Sequence, residues 1–154
     1  MTLESKSPDS MSLDPHLMTL AAERNIGAIA IVKADGRPLL SPVNFTFDPT
    51  AKMARISVID GRAKVSNLRR DPRASIFVTT ADGWTFAVLE GSVELSPVAL
   101  TPDDDTVEEL IDIFRAIRGE DHPDWDEYRA KMVVEGRMVA RLHLESIYGL
   151  VRPE

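Results

Sequence analysis

The sequence predicts a mainly β, α+β domain: six antiparallel strands curled into a barrel, with helices on its flanks. Three observations carry this. β-branched and alternating runs recur between residues 26 and 95, turn pairs such as Asp35-Gly36, Asp48-Pro49 and Asp82-Gly83 separate them, and one more alternating run follows an acidic, helix-patterned stretch. Strands joined by short turns pair with their sequence neighbours, and such a meander protects its edges by closing on itself.

The elements follow in order. Residues 1–11 are polar and aperiodic and read as a disordered tail, leaving 12–154 as one domain. Asp14 followed by Pro15 marks a helix start, and Leu13, Leu17, Leu20 and Ala21 keep helical spacing up to Asn25. The first strand spans 26–33 and the second 37–47, where Val43, Phe45 and Phe47 alternate. A third runs over 53–59. The spacing then predicts a short helix over 62–70, stopped at Asp71 because Pro72 pushes its predecessor out of the helical region. Strand four covers 74–80, and strand five covers 84–95 with a bend or bulge at Gly91. Helices over 106–118 and 125–135 interrupt the sheet before a sixth strand, 137–144, rejoins it.

With 154 residues and 44% hydrophobic content the chain is sized for one core. It has no cysteine, which removes disulfides and thiolate chemistry and fits a reducing compartment. With no apolar leader and no run of roughly 18 apolar residues, the expectation is a cytoplasmic protein that binds no membrane. A net charge of −7 argues against nucleic acid. Yet residues 55–73 hold six basic side chains and two acids, a window of +4 in a chain whose remainder carries −11. A basic island in an acidic protein suits a compact anion.

The stretch from Ser57 to Arg73 concentrates the chemistry. Gly61 closes a strand and a helix starts at once, with Arg62 and Lys64 in its first turn. Free backbone N–H groups and two cations therefore point at one place, as a phosphate site requires. Arg62 can clamp an oxyanion bidentately, Lys64 supplies a point charge, and Ser57 can donate from the preceding strand. A solvated basic helix explains the same residues equally well. His16, His122 and His143 lack carboxylates at ligand spacing, so no metal site is expected. The run from Asp103 to Asp105 lacks the spaced loop of calcium sites, and a helix cap at Asp105 and Thr106 accounts for it.

The pattern S-x-x-x-x-R-x-K-x-x-N-L-x-x-D-P-R-A starting at Ser57, the DGRP and SPVNFTFD segments of the first hairpin, and the DGW turn at 82–84 resemble the pyridoxamine-phosphate-oxidase-like superfamily. More narrowly, they resemble its actinobacterial F420-dependent branch of small split-barrel reductases. The likeness runs from about residue 13 to Tyr148 and includes TPDDDT (101–106) and DWDEYR (124–129). It implies a split β-barrel homodimer with cofactor sites at the interface, coenzyme F420 as cofactor with FMN as the alternative, and a small substrate such as a quinone or a biliverdin-like tetrapyrrole.

By the same resemblance, Arg62 and Lys64 meet the cofactor phosphate or the acidic tail of F420, with Ser57 and Asn67 nearby. Pro38, Ser41 and Val43 would lie against the tricyclic ring, and Trp84 would cross the dimer interface to wall the pocket. Without the resemblance, Trp84 reads as an ordinary interface or core aromatic. The cofactor carries the hydride, so no catalytic residue is assigned, and a proton could come from solvent, Tyr148 or His143. An FMN oxidase of the pyridoxamine-phosphate type and a non-catalytic carrier of flavin or haem-like ligands stand as alternatives. The oxidase type is disfavoured because YGLVRPE stands where it has an arginine-rich segment.

Overall fold

A computed structural model describes residues 13–153, and the tail predicted over 1–11 lies outside the described residues. Asp14 caps α1 (Pro15–Glu23), accepting from the His16 N–H at 2.8 Å, and Pro15 fits the first turn because an N–H there has no helical acceptor. Four strands follow: β1 (Ile26–Val32), β2 (Pro38–Asn44), β3 (Thr46–Asp48) and β4 (Met53–Ile59). Helix α2 (Ala63–Arg70) leads to β5 (Arg73–Thr79) and β6 (Phe86–Leu95). Helices α3 (Asp105–Arg118) and α4 (Trp125–Glu135) then precede the last strand, β7 (Arg137–Leu150).

All pairings are antiparallel and build one sheet in the order β2-β1-β5-β6-β7-β4-β3. The sheet curls until β2 lies against β4, with no ladder between them, so the barrel is split along that seam. The expected fold class holds, with seven strands rather than six.

The difference lies at Phe45, where the predicted second strand is cut in two. The Phe45 ring is fully buried and its N–H donates to the Asn25 carbonyl at 2.9 Å. The chain therefore leaves β1 after Asn44 and pairs with β4 from Thr46 onward. One alternating run serves two different neighbours. The last strand continues past the expected end at 144 because it stays paired with β6 beyond a bulge between Glu90 and Gly91. A Cβ at Gly91 would drive into the His143 carbonyl, so only glycine fits there. Strand β6 starts at Phe86, leaving Trp84 in the preceding turn. Asp104, one residue earlier than expected, caps α3 by accepting from the Val107 N–H at 2.9 Å and the Leu100 N–H at 2.8 Å.

Ile29, Ile31, Phe45, Ile56, Val58, Ile76 and Leu89 fill the barrel. Val65 and Leu68, on one stripe of α2, are buried in the same cluster, and each contributes about 1.5–3 kcal/mol by leaving water. A second core joins Leu110, Ile111 and Ile113 of α3 and Met132 of α4 to Val139 on β7. Glu109 ties this layer down: it accepts from Arg141 Nε at 2.9 Å and lies 3.6 Å from Arg55. Among the described residues no helix is long and apolar enough to cross a membrane.

Candidate functional site

The seam between β2 and β4 opens into a cavity of about 440 Å3. Leu39 and Ser41 wall it from β2, and Ser57 and Ile59 wall it from β4. Arg62 and Lys64 reach it from the start of α2, and Arg137 from the start of β7. The local cause is Gly61, whose φ of 82° turns the chain sharply after β4 and starts α2 beside the opening. Arg62 is the N-cap residue of that helix but makes no side-chain cap, and no acid occupies the first turn. Its leading N–H groups and the positive end of its dipole are thus available to an anion.

The electrostatics agree. Three neighbouring cations are matched, Arg69 with Asp60 at 2.9 Å, Arg73 with Asp71 at 2.7 Å and Arg137 with Glu135 at 2.8 Å, while Arg70 donates to Asn67 and to the Val32 carbonyl. Among the described residues, Arg62 and Lys64 pair with no carboxylate. Burial pushes the Lys64 amine below the ordinary lysine value of 10.5, and the charge of Arg137 lowers it further. Ser41 adds the other kind of unmet demand, because its Oγ is buried without a hydrogen-bond partner. An orphaned hydroxyl costs about 1–3 kcal/mol until something satisfies it. Cations lacking counter-ions, free helix N–H groups and a waiting hydroxyl together fit a phosphate ester whose other part presents a polar edge.

The structure thus brings Ser41, Ser57, Arg62 and Lys64 together and places the other predicted residues elsewhere. Val43 faces inward on β2 but is sunk in the core. Pro38 stands on the opposite face of that strand and lines a separate groove with Ala30, Ser75 and Glu90. A strand's period of two enforces this separation. Asn67 is engaged within α2, donating to the Ala63 carbonyl at 2.9 Å and accepting from Arg70 at 2.7 Å. Trp84 is 61% exposed, with the Arg152 guanidinium 6.0 Å from its ring centroid. His143 bonds Glu94 at 2.9 Å and Tyr148 lies on the outward face of the sheet, so neither lines the cavity.

Arg137 is the site residue that motif reading missed. It lies far downstream and enters because β7 pairs with β4, setting Arg137 opposite Ile59. Its Nη1 donates to Ser57 Oγ at 3.4 Å. The local signal was slight: a basic residue following Gly136, the left-handed cap of α4. A second cavity, of about 480 Å3, shares Ser57 and Arg137 with the first and reaches Phe114, His122 and Tyr128 of the α3–α4 layer.

A curled antiparallel sheet split along one seam, with a cationic cavity beside it, defines a small split-barrel domain. The family described as pyridoxamine 5'-phosphate oxidase matches residues 13–150, and the chain belongs to it. The F420H(2)-dependent biliverdin reductase of Mycobacterium tuberculosis is 30% identical over 79 residues, 51% of this chain and 56% of that protein. The chain therefore spans about half the length of this curated relative. An F420 reductase shares the fold with a TM-score of 0.64 and 18% identity, covering 88% of this chain and 98% of its own. A conserved hypothetical protein of Mycobacterium tuberculosis shares it with a TM-score of 0.69 and 17% identity, covering 97% and 96%. At such identities the structural likeness is one of fold.

Proposed function

We propose that the chain is an F420H2-dependent reductase, passing hydride from a reduced deazaflavin to a small conjugated substrate such as a quinone or a biliverdin-like tetrapyrrole. The observation that carries this reading is the meeting of unpaired Arg62 and Lys64 with the orphaned Ser41 hydroxyl in one cavity. The named activities of the two F420-linked relatives favour deazaflavin. FMN is the second reading, favoured by the family match itself.

On this reading Arg62 and Lys64 hold the phosphate, Ser57 and the first N–H groups of α2 add donors, and Arg137 supplies a third cation. The Ser41 hydroxyl meets a polar edge of the ring system, while Leu39 and Ile59 exclude water from its apolar surface. The bound cofactor supplies the hydride, and the protein supplies position and electrostatics. Of the proton sources considered, His143 and Tyr148 lie outside the cavity, so the reading assigns the proton to solvent.

A homodimer completes the proposal. Leu40, Phe77, Tyr148 and Leu150 are large apolar side chains exposed on the outward face of the sheet. The pairings Ala30 with Leu40, Ala28 with Phe77 and Val88 with Tyr148 make that face continuous from β2 to β7. A patch of this kind is what a symmetric partner covers.

Parallel titrations with F420 and FMN, read by cofactor absorbance, test the assignment. We expect F420 to bind, with Arg62→Ala and Lys64→Ala each losing about 1–3 kcal/mol. Unchanged affinity in both variants would remove the anion site, and saturation by FMN alone would transfer the reading to an FMN enzyme. Oxidation of F420H2 by a panel of quinones and bilins separates a reductase from a carrier.

A further inference from the structure

We infer that Lys64 is a covalent capture site for small phosphorylated aldehydes, its amine forming an imine with a carbonyl carbon whose phosphate the same cavity holds. The inference goes beyond the cofactor reading and concerns the cofactor-free protein. Lys64 stands in the first turn of α2, and Val65 beside it is fully buried in the barrel core, which fixes the backbone from which the amine projects. Leu39, Val58 and Ile59 line the cavity with it, so the sheet offers the amine an apolar wall. The charged groups that line this cavity with it share its sign: Arg62 from the turn before α2, and Arg137 from β7. Two nearby acids are already taken, because Glu135 serves Arg137 at 2.8 Å and Asp60 serves Arg69 at 2.9 Å.

A lysine in such a place is a nucleophile. A partly buried ammonium beside another cation gives up its proton more readily, and the downward shift at Lys64 agrees, with burial the larger cause and Arg137 the second. The neutral amine attacks the aldehyde carbon with its lone pair while the π pair of the C=O bond moves to oxygen. That oxygen leaves as water with both amine hydrogens, and a C=N bond remains; no oxidant or reductant takes part. Arg62, without a carboxylate partner, is the cation left for the phosphate. The class of guest follows from the pair. A phosphate ester with no carbonyl binds reversibly, and a plain aldehyde lacks the anchor. A cofactor phosphate at the same place restores the demand for an ammonium at Lys64 and silences the amine, so capture and cofactor exclude each other.

Borohydride reduction of the cofactor-free protein with glyceraldehyde 3-phosphate or with glyceraldehyde, followed by peptide mass spectrometry, tests this. We expect the adduct on Lys64 ahead of the exposed Lys52 and Lys131, with about tenfold less of it from glyceraldehyde or in Arg62→Ala, the worth of one charge-assisted contact. Inorganic phosphate should protect Lys64 and leave Lys52 and Lys131 labelled. Lys64→Arg, which keeps a cation but forms no imine, should lose this adduct and keep the other two. The pH of half-maximal capture should lie below the ordinary lysine value of 10.5. Equal labelling of the three lysines, or an adduct on Lys64 indifferent both to phosphate on the aldehyde and to added phosphate, overturns the capture site. Either result leaves the deazaflavin reading standing, since the F420 titration reports on that separately. A protein that takes the adduct at Lys64 yet binds neither F420 nor FMN keeps this inference and loses that one.

Discussion

Replacing Arg137 with methionine deletes the one site cation that no motif announces while keeping an unbranched apolar stem. The side chain is 27% exposed, donates to Glu135 at 2.8 Å and to Ser57 at 3.4 Å, and stands near enough to Lys64 to lower its pKa. If Arg137 serves the phosphate, its removal takes away a charge-assisted bond worth about 1.5–3 kcal/mol, reduced by partial exposure to about 1–2, or roughly a five- to thirtyfold loss in affinity. The fold should suffer less. Glu135 is itself 27% exposed and keeps Lys131 at 3.9 Å, so the stability loss should stay within about 1 kcal/mol. The Lys64 amine should also titrate higher, though still below 10.5, because burial is the larger cause of its shift and persists. Cofactor titration and chemical denaturation of the same preparations measure both quantities. The reasoning is refuted if affinity holds while stability drops, since Arg137 would then be only a strut beneath α4; partial recovery of affinity in Arg137→Lys supports it.

Other expectations follow from the same geometry. Ser41→Ala removes the orphaned hydroxyl, so the cofactor-free protein should gain about 1 kcal/mol in a thermal melt and bind cofactor several-fold more weakly; a loss of stability would show that the hydroxyl already has a partner. Because the folded pKa of Lys64 lies below its unfolded value of 10.5, its charge burdens the fold fully at pH values beneath the folded pKa, and that burden lifts as pH rises through it. Over that window the stability of the cofactor-free protein should rise relative to Lys64→Met while cofactor affinity falls; parallel curves for the two proteins would contradict it. Glu109 is 17% exposed and serves both Arg141 and Arg55, so Glu109→Gln should cost about 2–3 kcal/mol in chemical denaturation. A cost near zero would show that the apolar layer of α3 holds the helix unaided.

What was legible in the sequence was local. Ser57, Arg62 and Lys64 sit on one strand, turn and helix, so their convergence follows from Gly61 and the spacing alone. Arg137 could not be read that way, because its place depends on β7 inserting between β6 and β4, a pairing between distant segments. The break at Phe45 is hidden for a related reason: Val43, Phe45 and Phe47 point inward on both sides of it, and only the neighbouring strand changes. The parity of β2 already separates Pro38 from Ser41 and Val43, a constraint that resemblance to a family does not convey. Trp84 is exposed in the single chain, and its expected place across a dimer interface stays a proposal, because an Asp-Gly-Trp turn has the same spelling whether or not a partner covers its ring.

The single residue joining β2 to β3 also determines how the slot between β2 and β4 can move. Phe45 ties the two lips together at one end, anchored by its buried ring and by the carbonyl of Asn25. Any breathing of the barrel must therefore widen the gap at the far end, near Gly61, like a hinge with a fixed pin.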